Sequence, residues 1–187
     1  MRKSTFHVDR AKGDMAKALV RTLLGTADYT VLPFGYESYF THIKDLVHTG
    51  RVEKTRMVHQ IRTMPDFVVL DESSIGDRVP EKIGVEFVEV KFSSREPNLV
   101  GIETSKIKGY RKYWPDSTLV YVLPRGKDVF YARLIRKIKP SSIDITDLEF
   151  GKEDRIELYF PRISGFHDEL EDLKKIAKKA FAKLEVK

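Results

Sequence analysis

Apolar and polar positions along this chain recur with two different periods. From Asp14 to Leu24, Met15, Ala18, Leu19 and Leu23 fall at i, i+3 and i+4 with Thr22 beside them, which predicts an amphipathic helix that Gly25 is placed to end. "YTVLPF" predicts a short strand with Pro33 at its end or on a sheet edge, and Gly35 breaks it. Residues 38–62 carry a weak helical period, a Gly50 interruption and then a basic run, predicting a helix followed by a mobile, insertion-like segment. "PDFVVLDE" and "GVEFVEVKFSS" are the most strand-like segments, and the turn-rich "SSIGDRVPEK" predicts that they form a long hairpin.

"EPNLVGIETSKIKGYRKYW" runs into a helix that should end before Pro115. "STLVYVLP" and "VFYARLI" then read as two strands joined by "RGKD", and residues 136–161 as irregular or strand-like. The chain closes on a helical stripe of Leu170, Leu173, Ile176, Ala177, Ala180, Phe181 and Leu184, acidic at its start and lysine-rich at its end as the helix dipole favours. Its ordinary use is docking against a core. The predicted order is helix, three strands, helix, two strands and a C-terminal helix. This is an α/β chain of 187 residues expected to form one domain, with a core over about 10–135 and an extension over about 140–187.

No stretch approaches the ~20 consecutive apolar residues of a membrane span, and "MRKSTFHVDRAKGD" has no apolar signal core, so a soluble, cytoplasmic protein is expected. Cysteine is absent, which excludes disulfides and thiolate metal sites. A Lys-, Arg- and Glu-rich third of charged residues resembles thermophile surfaces. A net charge of +6 and a pI near 9.3 suit an anionic partner, nucleic acid above all.

The hairpin carries the chemistry. Strand alternation puts Val85, Phe87, Glu89 and Lys91 on one face and Glu86, Val88, Val90 and Phe92 on the other. Charges in so apolar a strand are either paired or used, because burying one alone is costly. Asp66 follows Pro65 at the end of the preceding strand, where an antiparallel partner brings its C-terminal part. Asp66, Glu89 and the Val90 carbonyl are the oxygen ligands that Mg²⁺ or Mn²⁺ prefers, and Lys91 beside them is suited to orienting a water or stabilising a phosphoryl transition state. The plain alternative is a cross-strand Glu–Lys pair on a half-exposed sheet.

Pro65-Asp66, a gap, and then Glu89-Val90-Lys91 resemble the PD-(D/E)xK motif of the restriction-endonuclease-like nuclease superfamily, which includes archaeal Holliday-junction resolvases and many repair and defence nucleases. The order of elements over about residues 10–125 is similar to that superfamily's core: a helix, a three-stranded antiparallel meander, a crossover helix and a further strand. The resemblance implies hydrolysis of DNA phosphodiester bonds with Mg²⁺ or Mn²⁺, and Asp66, Glu89 and Lys91 as catalytic residues. It implies a further acid, for which Glu37 in "FGYESYF" is preferred over Asp14, and a homodimer with the terminal helix or segment 38–62 as contacts.

It also implies polar substrate contacts on the crossover helix, where Lys106 and Tyr110 share one face and Lys108 and Arg111 another. Arg51, Lys54, Arg56, His59 and Arg62, just before the Pro-Asp strand, are suited to gripping phosphates. His42, His48 and His59 have no metal-ligand spacing. Two alternatives stay open: a non-catalytic nucleic-acid-binding or assembly subunit of the same fold, and an RNA-directed nuclease.

Overall fold

The computed structural model describes residues 3–35, 55–72, 83–93 and 99–185. Helix α1 (Lys3–Thr26) leads into strand β1 (Thr30–Pro33), and a short helix α2 (Arg56–Arg62) precedes β2 (Phe67–Asp71) and β3 (Gly84–Phe92). Then come β4 (Leu99–Glu103), α3 (Thr104–Tyr113), β5 (Thr118–Val122), β6 (Phe130–Leu134), β7 (Ile145–Glu149) and the C-terminal helix α4 (His167–Glu185). Five strands form a mixed sheet in the order β1-β2-β3-β5-β6, and β4 and β7 form a separate pair. β1, β2 and β3 are an antiparallel meander, β5 runs parallel to β3, and β6 returns antiparallel to β5. α3 lies in the crossover between the parallel neighbours, as a parallel connection requires.

Alternation along the strands sorts the two faces of this sheet. Val88, Val90, Val120, Val122, Phe130 and Ala132 face α1 and α4. Leu119, Tyr121 and Tyr131 face Ile107 and Tyr110 of α3, with Val100, Ile102 and Leu148 of the small sheet completing that layer. Covered on both sides, β5 is buried at every position, which is why "TLVYV" reads as an unbroken apolar run. α1 contributes Ala16, Leu19, Val20, Leu23 and Leu24 to the first layer, each fully buried Val or Leu side chain stabilising the fold by about 1.5–3 kcal/mol.

Three expectations change here. The first helix begins eleven residues before Asp14, at Lys3, and its buried face is set by Ala16, Val20 and Leu24, while Ala18 and Thr22 are exposed. Residues 56–62 form a helix in place of an insertion-like segment: Thr55 caps it, accepting from the Val58 N–H at 3.3 Å, and Val58 anchors it in the interior. Residues 99–103 form a strand, pairing Gly101 with Asp147 across 46 positions of sequence.

The terminal helix packs on α1 through Leu170, Leu173, Ala177 and Phe181, whereas Ile176 of the expected stripe stays exposed. Helices α2 and α3 approach closely because Gly109 has no side chain. A Cβ there would stand 2.8 Å from Thr63 Cγ2, too close for a bond-free contact. Among the described residues, no helix is long and apolar enough to cross a membrane.

Candidate active site

The register of the β2–β3 ladder builds the centre of the site. Phe67 opposes Val88, so one further step toward the start of β2 sets Asp66 opposite Glu89. Asp66 Oδ2 accepts the Val90 N–H at 2.8 Å, which fastens the carboxylate to the edge of the ladder. Glu89 and Lys91, two apart on one face of β3, pair directly through Glu89 Oε1 and the lysine ammonium. Tyr110 of α3 is buried and donates its hydroxyl to that same Oε1 at 2.6 Å. Asp66, Glu89, Lys91 and Tyr110 all line one cavity of about 690 Å³.

The other wall of this cavity is α1. Asp14, Lys17, Ala18, Arg21 and Thr22 line it, a stripe at i, i+3, i+4, i+7 and i+8 that runs beside the apolar stripe rather than within it. Lys17 sets its ammonium 2.6 Å from Asp66 Oδ1. Asp14 lies at the rim with its side chain 65% exposed, 4.0 Å from Arg10 Nε. Arg62 and Lys106 also line it.

A second cavity of about 410 Å³ shares Arg62 and Lys106 with the first and continues between α2 and α3 past His59, Lys108 and Lys112. Among the described residues, five basic side chains and one acid, Glu103, thus line it. Gly109 and Thr63, whose contact sets the spacing of the two helices, are in its wall.

Burial and charge act together on the central groups. Burial, then the negative charge of Asp66, pushes the Glu89 carboxyl above its usual range, against the pull of Lys91. Burial works against the Lys91 ammonium, but the carboxylate of Glu89 outweighs it and holds the lysine well above its usual range. Burial and the charge of Glu89 likewise keep the Tyr110 hydroxyl protonated, so it is a fixed donor. A buried glutamate whose ionisation the neighbouring Asp66 opposes, with both residues lining one cavity, forms an arrangement that a hard divalent cation relieves. Both have oxygen donors of the preferred type, and their side chains are only 11% and 5% exposed. The residues therefore fit Mg²⁺ or Mn²⁺ as a pair of ligands, leaving the other positions to water and a bound ligand. Among the described residues no group of three or more His, Asp or Glu forms a ready metal cluster.

The pH dependence follows from Glu89. A cation must displace its proton, so Mn²⁺ affinity should rise as pH climbs through the raised Glu89 pKa, with proton release on binding. In the cation-free protein the sign reverses. The stabilisation linked to a raised folded pKa is full below the ordinary glutamate range and is lost as pH rises through Glu89's own pKa. Calorimetric Mn²⁺ titrations in buffers of different ionisation enthalpy, from pH 5 upward, check this. A flat affinity profile in the parent would remove Glu89 from the cation's ligands.

Of the residues singled out in the sequence, Asp66, Glu89, Lys91, Arg62, Lys106 and Tyr110 meet around one cavity; Val90 does not line it, and its observed contact with the site is the N–H it donates to Asp66. Tyr110, expected to touch substrate, lines the cavity and donates its hydroxyl to Glu89. Arg56 is exposed on α2 and lines neither cavity. Glu37, Arg51 and Lys54 lie outside the described residues. Lys17 and Arg21 were missed, although the polar stripe of α1 at helical spacing was there to be read. No protein-family model matches the chain, and comparison with curated proteins gives no match.

Proposed function

We propose that this protein is a metal-dependent nuclease of the PD-(D/E)xK type, hydrolysing phosphodiester bonds in DNA. The observation that carries the reading is the convergence of Asp66, Glu89 and Lys91 on one cavity at the open end of the β2–β3 ladder. The helix, antiparallel meander, crossover helix and parallel strand around it are consistent with a restriction-endonuclease-like core. A bound Mg²⁺ or Mn²⁺ supplies Lewis acidity at a phosphodiester oxygen.

The chain's own groups do the rest. Asp66, held by the Val90 amide, and Glu89, held by Tyr110, have their carboxylates fixed in place by the surrounding fold. Lys91 stays protonated at neutral pH and sets a positive charge beside Glu89, where it can orient a water or answer charge developing on the phosphate. Arg21, Arg62 and Lys106 border the cavity as phosphate-gripping cations.

The basic side chains of the second cavity extend the grip along a strand, away from the reacting phosphate. Lys108→Ala with Lys112→Ala should weaken oligonucleotide binding and reduce the slope of log affinity against log salt by roughly 1.5–2, leaving Mn²⁺ affinity unchanged. Fluorescence anisotropy over a salt series measures it, and an unchanged slope would return these lysines to an ordinary solvated face.

Cleavage of labelled single-stranded, duplex, flap and four-way-junction DNA, and of RNA, with Mg²⁺, Mn²⁺ or EDTA tests the function. Cutting that needs metal and is lost in Lys91→Ala supports it. The second reading, a nucleic-acid-binding subunit without turnover, is favoured by one observation, the Lys17 ammonium already neutralising Asp66. On that reading no substrate is cut, and Asp66→Ala binds DNA as the parent does.

A further inference from the structure

Asp66 already holds a cation belonging to the chain. Lys17 reaches out of the polar stripe of α1 to Asp66 Oδ1 at 2.6 Å, while Oδ2 is committed to the Val90 N–H at 2.8 Å. The lysine side chain is 33% exposed and the aspartate 11%, so the ammonium stands at the mouth of the cavity and the carboxylate at its floor. Glu89, whose other charge partner is Lys91, lies across the same floor. A divalent cation shared by Asp66 and Glu89 would stand within a few ångströms of this ammonium. In a partly desolvated cavity a single pair of like charges at about 4 Å already repels strongly, and the second charge of the ion doubles it. Both cations therefore cannot keep these positions.

We propose that Lys17 is the resident counter-ion of the Asp66–Glu89 pair, and that a divalent cation binds by exchanging with it. The exchange rests on the cation reading above and explains how two neighbouring carboxylates remain tolerable in the cation-free fold. Lysine suits such a role because its charge is a single point on a flexible four-carbon stem, whereas a planar guanidinium would grip the carboxylate with two bonds. Its neighbours on the stripe, Asp14 one turn before and Arg21 one turn after, line the same cavity. Lys17 is thus a positioning residue that sets the cost of cation entry.

The test is a Mn²⁺ titration by calorimetry on the full chain after EDTA treatment, with thermal unfolding measured in EDTA and in saturating Mn²⁺. Lys17→Met removes the charge at similar length, and Lys17→Gln keeps a hydrogen-bond donor for Asp66 should the methionine variant fold poorly. Both should bind Mn²⁺ about tenfold tighter than the parent, after discounting the repulsion for the lysine's exposure. Both should melt earlier than the parent in EDTA and recover in Mn²⁺. Affinity equal to or weaker than the parent's in the variants overturns the exchange, and leaves the nuclease reading standing if the parent still cuts DNA with metal. Binding by the variants alone upholds Lys17 as the counter-ion and removes the metal-dependent reading from the parent. No Mn²⁺ binding by any of the three overturns both.

Discussion

Glu89→Gln is expected to cut metal-dependent DNA cleavage by at least about 10²–10³-fold and to weaken Mn²⁺ binding, while the protein stays folded. Glutamine keeps the shape of the side chain and an oxygen that accepts from Tyr110, so the packing under α3 survives. It removes the charge that would ligate a cation under the proposed function and that offsets the Lys91 ammonium. The lysine side chain is 29% exposed, so losing its counter-charge should cost about 1–3 kcal/mol rather than the larger penalty of a fully buried ion. The pair of measurements separates chemistry from structure. Activity falling by orders of magnitude beside a modest shift in denaturation midpoint places Glu89 in the reaction. Activity retained at the parent level would make Glu89 and Lys91 a structural pair and withdraw the nuclease assignment.

Much of this site was legible because it rests on short-range rules. Alternation along residues 84–92 put Glu89 and Lys91 on one face, and the antiparallel hairpin brought Asp66 to Glu89 without any knowledge of the rest of the chain. The β1 edge strand ending at Pro33 and the terminal helix were legible for the same reason. What escaped depends on distant partners. Strand β4 is five residues with a central Gly101, and only its pairing with β7 makes it a strand. Helix α2 hides a single buried apolar residue, Val58, among basic ones, so its Thr55 cap was the readable sign.

Lys17 shows the limit at the site itself. On a helix an exposed lysine and one that meets a carboxylate from another element look alike in sequence. Here the choice between them is made by the way α1 packs against β1 and β3, which sets Lys17 beside Asp66. The same geometry moved Ala18 and Thr22 from the expected core stripe to the cavity wall.

Asp154→Ala is expected to destabilise the protein by about 3–5 kcal/mol, although residues 140–165 carry no motif. Asp154 is 2% exposed and accepts from Arg133 through both Nε, at 2.7 Å, and Nη2. It also accepts the Gly151 N–H at 3.0 Å, fixing the turn at Lys152–Asp154. Arg133, on β6, donates to the Glu149 carbonyl at 2.6 Å and stacks over the Phe150 ring, so one guanidinium ties the main sheet to the end of β7. Alanine leaves that guanidinium half-buried without its carboxylate and frees the turn, and for a chain of this length the loss corresponds to roughly 6–20 °C in melting temperature. Replacing both partners, Arg133→Met with Asp154→Leu, should recover most of it, because the apolar pair needs no desolvated charge. Urea denaturation of the three proteins decides the matter, and a loss under about 1 kcal/mol for Asp154→Ala would mean that the pair is solvated like a surface bridge. Since neither residue lines the Asp66–Glu89 cavity, Mn²⁺ affinity should not change in either variant. Such a result would assign this stretch to holding β6 and β7 in place behind α3, whose Tyr110 in turn fixes Glu89.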